Sequence, residues 1–240
     1  TVLPGNRLVA MFTHNSEFRC QGGVGPFGMS AIDAVNGREE QSLAYSKDGG
    51  ITWNLYDGNP VLRNEGYSTY GRDFRDPKIL WMEDESLENG GIWMMVVAGG
   101  CARIYTSPDL IHWTFNSEAL DADGNRIYSE CPDLFPLTTE DGETKWIYMG
   151  YNAQAEYYYV GNMTKKDGYY QFRAETAKQR YNGVAAQATQ SFYNDAKGRR
   201  IQVSWVDDGG LGFPDKKWVG TQSIPLEAKL VKQNGTYKLA

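Results

Sequence analysis

Hydrophobic and polar residues follow one another along this chain in short runs, without the three-to-four-residue spacing of an amphipathic helix. Apolar runs rich in aromatic and β-branched residues recur roughly every ten residues, with glycine, asparagine and aspartate between them. This pattern predicts short antiparallel strands in an all-β sandwich, barrel or propeller. The predicted strands are residues 8–13, 41–46, 78–82, 92–98, 102–107, 145–151, 157–162, 188–193, 200–206 and 220–224.

An internal repeat favours the propeller among these folds. Residues 44–53 resemble residues 104–113, because each segment runs from a strand through a Ser-x-Asp turn to a tryptophan, and residues 159–172 form a weaker third copy. The interval between the copies suits one four-stranded blade. We expect the aspartate to cap each turn and the tryptophan to pack between blades. The pattern therefore predicts a single propeller domain over residues 1–240.

The composition argues against several functional classes. The chain has 240 residues and a net charge of -6, which argues against nucleic acid or an anionic membrane surface as a partner. Its longest apolar run, residues 92–98, is far shorter than the ~20 residues of a membrane-spanning helix. Three cysteines, Cys20, Cys101 and Cys131, are too few for a disulfide framework and have no histidine near them in ligand spacing, so we expect no metal site.

Charged residues interrupt the strand pattern at two places where a blade should begin. The segment 73–78 contains Asp76, and the segment 129–133 contains Glu130. Because the innermost strand of each blade lines the axial channel of a propeller, we expect these two carboxylates to face one pocket. Paired carboxylates perform glycoside hydrolysis, in which one protonates the leaving oxygen while another attacks or stabilises the charged sugar carbon. At this point the alternative that both are ordinary turn or salt-bridge residues stays open.

The same two segments resemble signature motifs of a known family. Residues 74–78, FRDPK, and residues 130–135, ECPDLF, are similar in order and spacing to two motifs of glycoside hydrolase family 32, the β-fructofuranosidases. The resemblance implies an all-β, five-bladed β-propeller of the β-fructosidase type, of which about four blades lie in this chain. It also implies cleavage of β-fructofuranosyl bonds in sucrose, inulin or levan by a retaining acid/base mechanism.

Taken residue by residue, the resemblance implies roles for five side chains. Glu130 matches the general acid/base, and Asp76 matches the transition-state stabiliser that binds two fructose hydroxyls. Arg75, beside Asp76, would help to bind those hydroxyls. Asp133 and Trp81 are further substrate-binding candidates, with core packing as the alternative for Trp81. No cofactor is implied, because this chemistry needs only carboxylates, protons and water.

The chain also departs from the pattern of this family. The nucleophile of the family, an aspartate in a Trp-x-Asn-Asp-Pro-Asn-Gly type motif of the first blade, has no match here. We therefore expect the first blade and the C-terminal β-sandwich of the family to be absent. Three explanations stay open: an incomplete version of a full enzyme, a second copy that supplies strands through an exposed sheet edge, or a relative that binds fructans without cutting them.

Two further interpretations concern enzyme class and location. A five-bladed glycosidase of the arabinanase or sialidase kind is an alternative, because residues 46–53 resemble the Asp-box turn of sialidases. The arginine cluster and nucleophilic tyrosine that a sialidase needs are not recognisable in the sequence. Asn162 and Asn234 begin acceptor sequences for N-linked glycan, which are used only on a eukaryotic secretory route. The expected polymeric sugar substrate favours an extracellular location, because enzymes that act on such polymers are commonly exported.

Overall fold

A computed structural model of the chain describes residues 2–3, 7–15, 39–65, 73–152, 155–181, 186–193, 195–206 and 220–240. Throughout these ranges the regular structure consists of strands, β1 to β19, and contains no α-helix. The chain forms two compact units. The first comprises Thr1–Gly100 with Tyr105–Phe115, and the second comprises Cys101–Ile104 with Asn116–Ala240.

Two antiparallel sheets begin in the first unit. The first sheet has the order β1-β2-β3-β4, and the second has the order β5-β6-β7-β8, so each strand pairs with its neighbour in sequence. This up-and-down order is that of one propeller blade. The strands are β1 (Val2–Leu3), β2 (Arg7–Asn15), β3 (Glu39–Ser46), β4 (Asn54–Leu55), β5 (Arg75–Glu83), β6 (Gly91–Ala98), β7 (Arg103–Ser107) and β8 (Thr114–Glu118).

Two further sheets and a terminal hairpin lie in the second unit. One sheet has the order β12-β11-β10-β9 with β13 also paired to β11, and the other has the order β14-β15-β16 with β17 also paired to β15. The strands are β9 (Glu130–Thr138), β10 (Thr144–Asn152), β11 (Ala155–Lys166), β12 (Tyr169–Ala174), β13 (Gln179–Arg180), β14 (Ala186–Phe192), β15 (Ile201–Val206), β16 (Thr221–Gln222) and β17 (Leu226–Glu227). The hairpin pairs β18 (Leu230–Gln233) with β19 (Thr236–Leu239).

All ten predicted runs overlap observed strands, but nine of the nineteen strands observed in the described ranges lie outside the predicted runs. The run 220–224 is reduced to the two residues of β16, beyond which Ile224 is 75% exposed and buries no apolar face. Strand β9 is one of the nine, and it begins in the segment 129–133, where the sequence predicts that a blade begins. Its prolines, Pro132 and Pro136, are tolerated because β9 is an edge strand, whose outward-facing N–H groups have no ladder partner.

Each unit has its own apolar core. In the first unit the buried core residues are Val9, Leu43, Phe74, Ile79, Met95, Val97, Tyr105 and Leu110. In the second unit they are Phe135, Ile147, Met149, Tyr158, Val160, Tyr181, Leu230 and Tyr237. Most members of both sets lie at alternate positions of strands, since successive side chains of a strand point to opposite faces of the sheet, whereas Phe74, Leu110 and Tyr181 lie outside the strands.

The Ser-x-Asp turns of the repeat are capped as predicted. The buried Ser46 hydroxyl accepts the backbone N–H of Gly50 at 2.8 Å and donates to Asp48. The Thr52 hydroxyl and backbone N–H donate to the Asp48 carboxylate, and with Ser46 they lower its pKa to about 2. Ser107 and Asp109 cap the second copy in the same way, through the N–H groups of Leu110 and His112 among others.

The tryptophans of the two turns differ from each other. Each indole N–H donates to a turn carbonyl, from Trp53 to Gly50 and from Trp113 to Leu110. Trp113 packs against the core of the first unit, whereas Trp53 is 46% exposed. The prediction that both rings are packed is therefore wrong for Trp53, which closes its own turn instead.

We expect Ser46→Ala to lower the free energy of unfolding by about 1–2 kcal/mol, because it removes a buried hydroxyl that accepts the half-buried Gly50 N–H. Urea unfolding measures the loss. The control is Ser86→Ala, since Ser86 makes a similar hydroxyl-to-aspartate bond in an exposed turn, and there we expect a change within about 0.5 kcal/mol. Equal losses in both variants would contradict a buried capping role.

Candidate functional site

In the first unit, strand β5 begins with a β-bulge at the predicted acidic motif. The pairing of β5 with β6 shifts register between Arg75 and Lys78, and Asp76 lies in the left-handed region with a φ of 60°. A bulge places one extra residue in one strand and re-aims the side chains that flank it. Pro77 suits the bulge, since it has no N–H to leave unpaired. The motif therefore presents Arg75 and Asp76 at the end of the strand.

Polar side chains from the first sheet hold this bulge. Thr13 Oγ1 accepts the backbone N–H of Asp76 at 3.0 Å and donates to Gln41 Oε1 at 2.9 Å. Gln41 Nε2 in turn donates to the Phe74 carbonyl at 2.5 Å. Glu39 Oε2 accepts the Phe74 N–H at 2.8 Å. Thr13, Gln41 and Glu39 could not be predicted from the sequence, because they lie far from the motif and no spacing pattern points to them.

Arg75 lies among three carboxylates. Its Nη1 is 2.7 Å from Asp73 Oδ1 and 3.0 Å from Glu39 Oε2, and its Nε is 4.0 Å from Asp76 Oδ2. The side chains of Arg75 and Asp76 are 26% and 31% exposed, so both are accessible from solvent. Arg75 and Asp76 therefore lie close to each other, as expected. The guanidinium of Arg75 is nevertheless closer to Asp73 and Glu39 than to Asp76.

In the second unit, strand β9 begins with a bulge of the same kind. Its pairing with β10 shifts register between Met149 and Tyr151, and Cys131 has a φ of 50°. Gln190 Nε2 donates to the carbonyls of Cys131 and Pro132 at 3.2 and 3.3 Å, so β14 holds this bulge. Glu130 comes immediately before Cys131 and is exposed. The structure thus presents its carboxylate at the strand end, where a ligand has access.

Strand β14, the first strand of the sheet β14-β15-β16, has a bulge of the same kind. The pairing of β14 with β15 shifts register between Gln187 and Gln190, and Ala188 has a φ of 50°. Strands β5, β9 and β14 therefore each have a left-handed, non-glycine residue at their second or third position. Neither Asp76, Cys131 nor Ala188 is a residue type that signals this conformation reliably, so the sequence could not reveal it.

Asp133 is fully buried, unlike Glu130 three residues before it. Its Oδ2 accepts the backbone N–H of Ser191 at 2.7 Å, and its Oδ1 accepts the N–H of Leu134 at 2.9 Å. These contacts join β9 to β14 inside the second unit. A side chain with no exposed surface has no access to substrate, so the contacts support a structural role for Asp133 rather than the predicted substrate-binding role.

Trp81 lies near the far end of β5 from Asp76. Five residues of strand separate them, which corresponds to about 17 Å. The Trp81 ring packs edge-on against Trp93 with centroids 5.1 Å apart, and it is 36% exposed. The structure does not bring Trp81 to Asp76, and the packing against Trp93 agrees with the alternative of a structural role.

A second buried carboxylate, Glu156, lies beside Asp133. Glu156 is 1% exposed, and its Oε2 accepts the backbone N–H of Thr189 at 3.3 Å. Its Oε1 has no hydrogen-bond partner among the described residues. Burial raises the pKa of Glu156 to about 8, against the effect of the Thr189 N–H, and the Asp133 carboxylate raises it further. Glu156 is therefore a protonated acid in the folded state at neutral pH.

Other candidate groups in the described part of the chain are less reactive or do not cluster. Cys101 and Cys131 are free thiols, and burial raises the pKa of Cys101 to about 11, while Cys20 lies outside the described residues. Within the described ranges, His, Cys, Asp and Glu side chains form no group of three that would hold a metal ion. Those ranges also contain no helix long and apolar enough to cross a membrane. Asp76 lies in the first unit and Glu130 in the second.

Comparison with known proteins supports the resemblance over the whole sequence. Residues 1–240 match the family model of the glycosyl hydrolases family 32 N-terminal domain. A levanase of Bacillus sp. (strain L7) is 34% identical over 219 residues, which is 82% of this chain and 23% of that protein. The chain therefore spans less than a quarter of the length of this relative.

Two solved structures show the same fold. A Bombyx mori GH32 β-fructofuranosidase in complex with sucrose is 26% identical, with a TM-score of 0.69 over 100% of this chain and 49% of that one. Fructan 1-exohydrolase IIa from Cichorium intybus has a TM-score of 0.73 at 21% identity, over 100% of this chain and 45% of that one. The predicted all-β propeller of the β-fructosidase type, with about four blades, is confirmed.

We expect the stability of the protein to fall with rising pH because of Glu156. The pKa of Glu156 is about 8 when the protein is folded and near its ordinary value of 4.5 when the protein is unfolded. Between those values unfolding releases a proton, so the free energy of unfolding falls by about 1.4 kcal/mol per pH unit and is level again above pH 8. In Glu156→Gln this contribution is absent, and in the exposed control Glu140→Gln it remains. Urea unfolding at pH 5, 6, 7 and 8 gives the slopes, and parallel slopes for parent and Glu156→Gln would contradict the assignment.

We expect Gly99→Ala to destabilise the motif-bearing end of β5. Gly99 has a φ of +130°, and a Cβ there would lie 1.7 Å from the Asp73 carbonyl oxygen and 2.9 Å from the Phe74 Cα. The control, Gly90→Ala, shares a positive φ of +72° but has nothing within 4 Å. The loss in Gly99→Ala should exceed that of the control by about 1–3 kcal/mol in urea unfolding, because overpacking adds to backbone strain. Similar losses of stability in Gly99→Ala and Gly90→Ala would contradict this expectation, because they would show that the chain accommodates the new Cβ at residue 99 without strain.

Proposed function

Because the chain belongs to glycoside hydrolase family 32, we propose that it supplies the acid/base and stabilising groups of a β-fructofuranosidase site. The proposed reaction is hydrolysis of β-fructofuranosyl bonds in sucrose or fructans with retention of configuration. One observation above all supports it: the two acidic motifs both form bulges at the beginning of inner strands, and both leave an accessible carboxylate there.

The proposed acid/base is Glu130. Its exposed carboxyl group first protonates the glycosidic oxygen, so that the leaving sugar departs as a neutral alcohol. In the second step the resulting carboxylate takes a proton from the water that attacks the fructosyl group. Gln190 supports this role indirectly, because it fixes the backbone of Cys131 and Pro132 immediately after Glu130.

The proposed stabilising groups are Asp76 and Arg75. The Asp76 carboxylate would accept hydrogen bonds from two fructose hydroxyls, and these bonds strengthen as positive charge develops on the ring. Arg75 is held by Glu39 and Asp73, so its guanidinium is oriented before substrate arrives. Bidentate guanidinium groups suit neighbouring sugar hydroxyls as hydrogen-bond donors.

A second candidate function is binding of fructans without cleavage. It applies if these 240 residues act alone, since the nucleophile motif of the family has no match among them. A retaining mechanism requires a nucleophilic carboxylate about 5–5.5 Å from the acid/base. Without such a group, Asp76 and Arg75 would still bind the fructosyl ring, but no covalent intermediate would form.

Location and assembly follow the same proposal. We propose an extracellular location for a protein that acts on polymeric fructan, and the glycan acceptor sequence at Asn234, in the exposed turn between β18 and β19, is compatible with that location. We also propose self-association through the edge of β4, where Leu55 and the nearby Ile51 are 66% and 84% exposed. Sedimentation of the chain over a range of concentrations tests the second proposal, and a constant monomer mass would contradict it.

The test of hydrolysis is release of fructose from sucrose, inulin and levan by the purified chain. If the proposal is correct, Glu130→Gln lowers the rate by at least about 100-fold while fructose binding is retained, because general acid–base catalysis contributes 10²–10⁴-fold. The control is Glu140→Gln, because Glu140 is also exposed but lies beyond the opposite end of β9 from Glu130. We expect this variant to release fructose at the rate of the parent. Binding of fructose without any release would favour the second candidate, and neither binding nor release would contradict both.

A further inference from the structure

Asp76 has a backbone conformation that needs external support. Its φ of 60° places a non-glycine residue in the left-handed region, which costs roughly 1–2 kcal/mol for an L-amino acid. Such a residue persists only where surrounding contacts impose the conformation. The direction of its Cα–Cβ bond, and hence of the carboxylate, depends on those contacts.

Thr13 contacts the strained residue directly. Its Oγ1 accepts the Asp76 N–H at 3.0 Å, and the same hydroxyl donates its proton to Gln41 Oε1 at 2.9 Å. The hydroxyl thus acts as acceptor and donor at once, which defines its rotamer. A bulge residue would otherwise leave its N–H outside the strand ladder, so Thr13 replaces the bond that the bulge removes.

Gln41 extends the connection back to the same strand. It is fully buried, and its Nε2 donates to the carbonyl of Phe74, two residues before Asp76. Its backbone is held as well, because its N–H donates to Leu62 and its C=O accepts from Val61. The hydrogen bonds from Asp76 through Thr13 and Gln41 to Phe74 therefore form a closed clamp around the beginning of β5.

This clamp differs from the ionic contacts of the motif. Glu39 also touches the segment, through the Phe74 N–H and the Arg75 guanidinium, but its removal would change the charge next to Asp76. Thr13 is neutral, lies on β2 of the neighbouring sheet, and can lose its hydroxyl with almost no change in shape. A substitution of Thr13 can therefore change the orientation of the Asp76 carboxylate without changing the charge around it.

We propose that Thr13, held by Gln41, is the positioning residue that orients the Asp76 carboxylate toward the fructosyl ring. This inference rests on the proposed function for the sugar-binding role of Asp76, but the clamp itself is independent of that role. It acts through the Asp76 backbone N–H and assigns Thr13 no contact with the substrate.

The matched pair of variants is Thr13→Val, which removes the hydroxyl and keeps the β-branched shape, and Thr13→Ser, which keeps the hydroxyl. We expect Thr13→Val to weaken fructose binding by the chain about 10-fold, corresponding to about 1.4 kcal/mol, and Thr13→Ser to stay within about threefold of the parent. Calorimetric titration with fructose measures the affinities. The control Thr164→Val makes the same change on an exposed part of β11 and should leave affinity unchanged.

An NMR readout of the clamp distinguishes failure of the inference from failure of the proposed function. The Asp76 amide proton should shift upfield in Thr13→Val and remain near its parental position in Thr13→Ser, because only the first variant lacks the acceptor. If the parent chain binds no fructose, the proposed function fails while this shift still tests the clamp. An unshifted amide, or unchanged affinity in Thr13→Val when the parent binds, would overturn the inference. If Thr13→Val does not fold, Thr13→Ala replaces it with the same expectations.

Discussion

The left-handed residue at the beginning of an inner strand is the constraint on which the candidate site depends. Asp76, Cys131 and Ala188 all adopt it, and each coincides with a register shift against the next strand. A residue in this conformation is unfavourable by itself, so neighbouring sheets must supply hydrogen bonds that a regular strand would not need. The beginnings of these strands therefore combine a strained backbone with side chains that solvent can reach.

The support comes from side chains that are distant in sequence. Thr13 and Gln41 on the first sheet hold the bulge of β5, and Gln190 on β14 holds the bulge of β9. In both cases a neutral polar side chain contacts the backbone of the motif, while the carboxylates of Asp76 and Glu130 remain accessible from solvent. This arrangement separates the groups that shape the motif from the groups that we propose to act on the sugar.

Buried carboxylates serve a different purpose in the second unit. Asp133 and Glu156 accept the backbone N–H groups of Ser191 and Thr189, which belong to the edge strand β14. An edge strand has N–H groups without ladder partners, and covering them removes a site for aggregation. The cost of burying two acids together appears as the raised pKa of Glu156. The same motif thus contains one exposed acid, Glu130, and one buried acid, Asp133, with separate tasks.

The sequence by itself determined the all-β class, most strands, the Ser-x-Asp turns and the two motifs with Asp76 and Glu130, because these features are local and periodic. Only the tertiary structure decided that Asp133 is buried and that Trp81 packs against Trp93 at the far end of β5. The positions of Thr13, Gln41 and Glu156 were also decided there. The physical reason is that burial, bulge geometry and contacts between sheets depend on which strands become neighbours, and a pattern with a period of two residues contains no information about that choice.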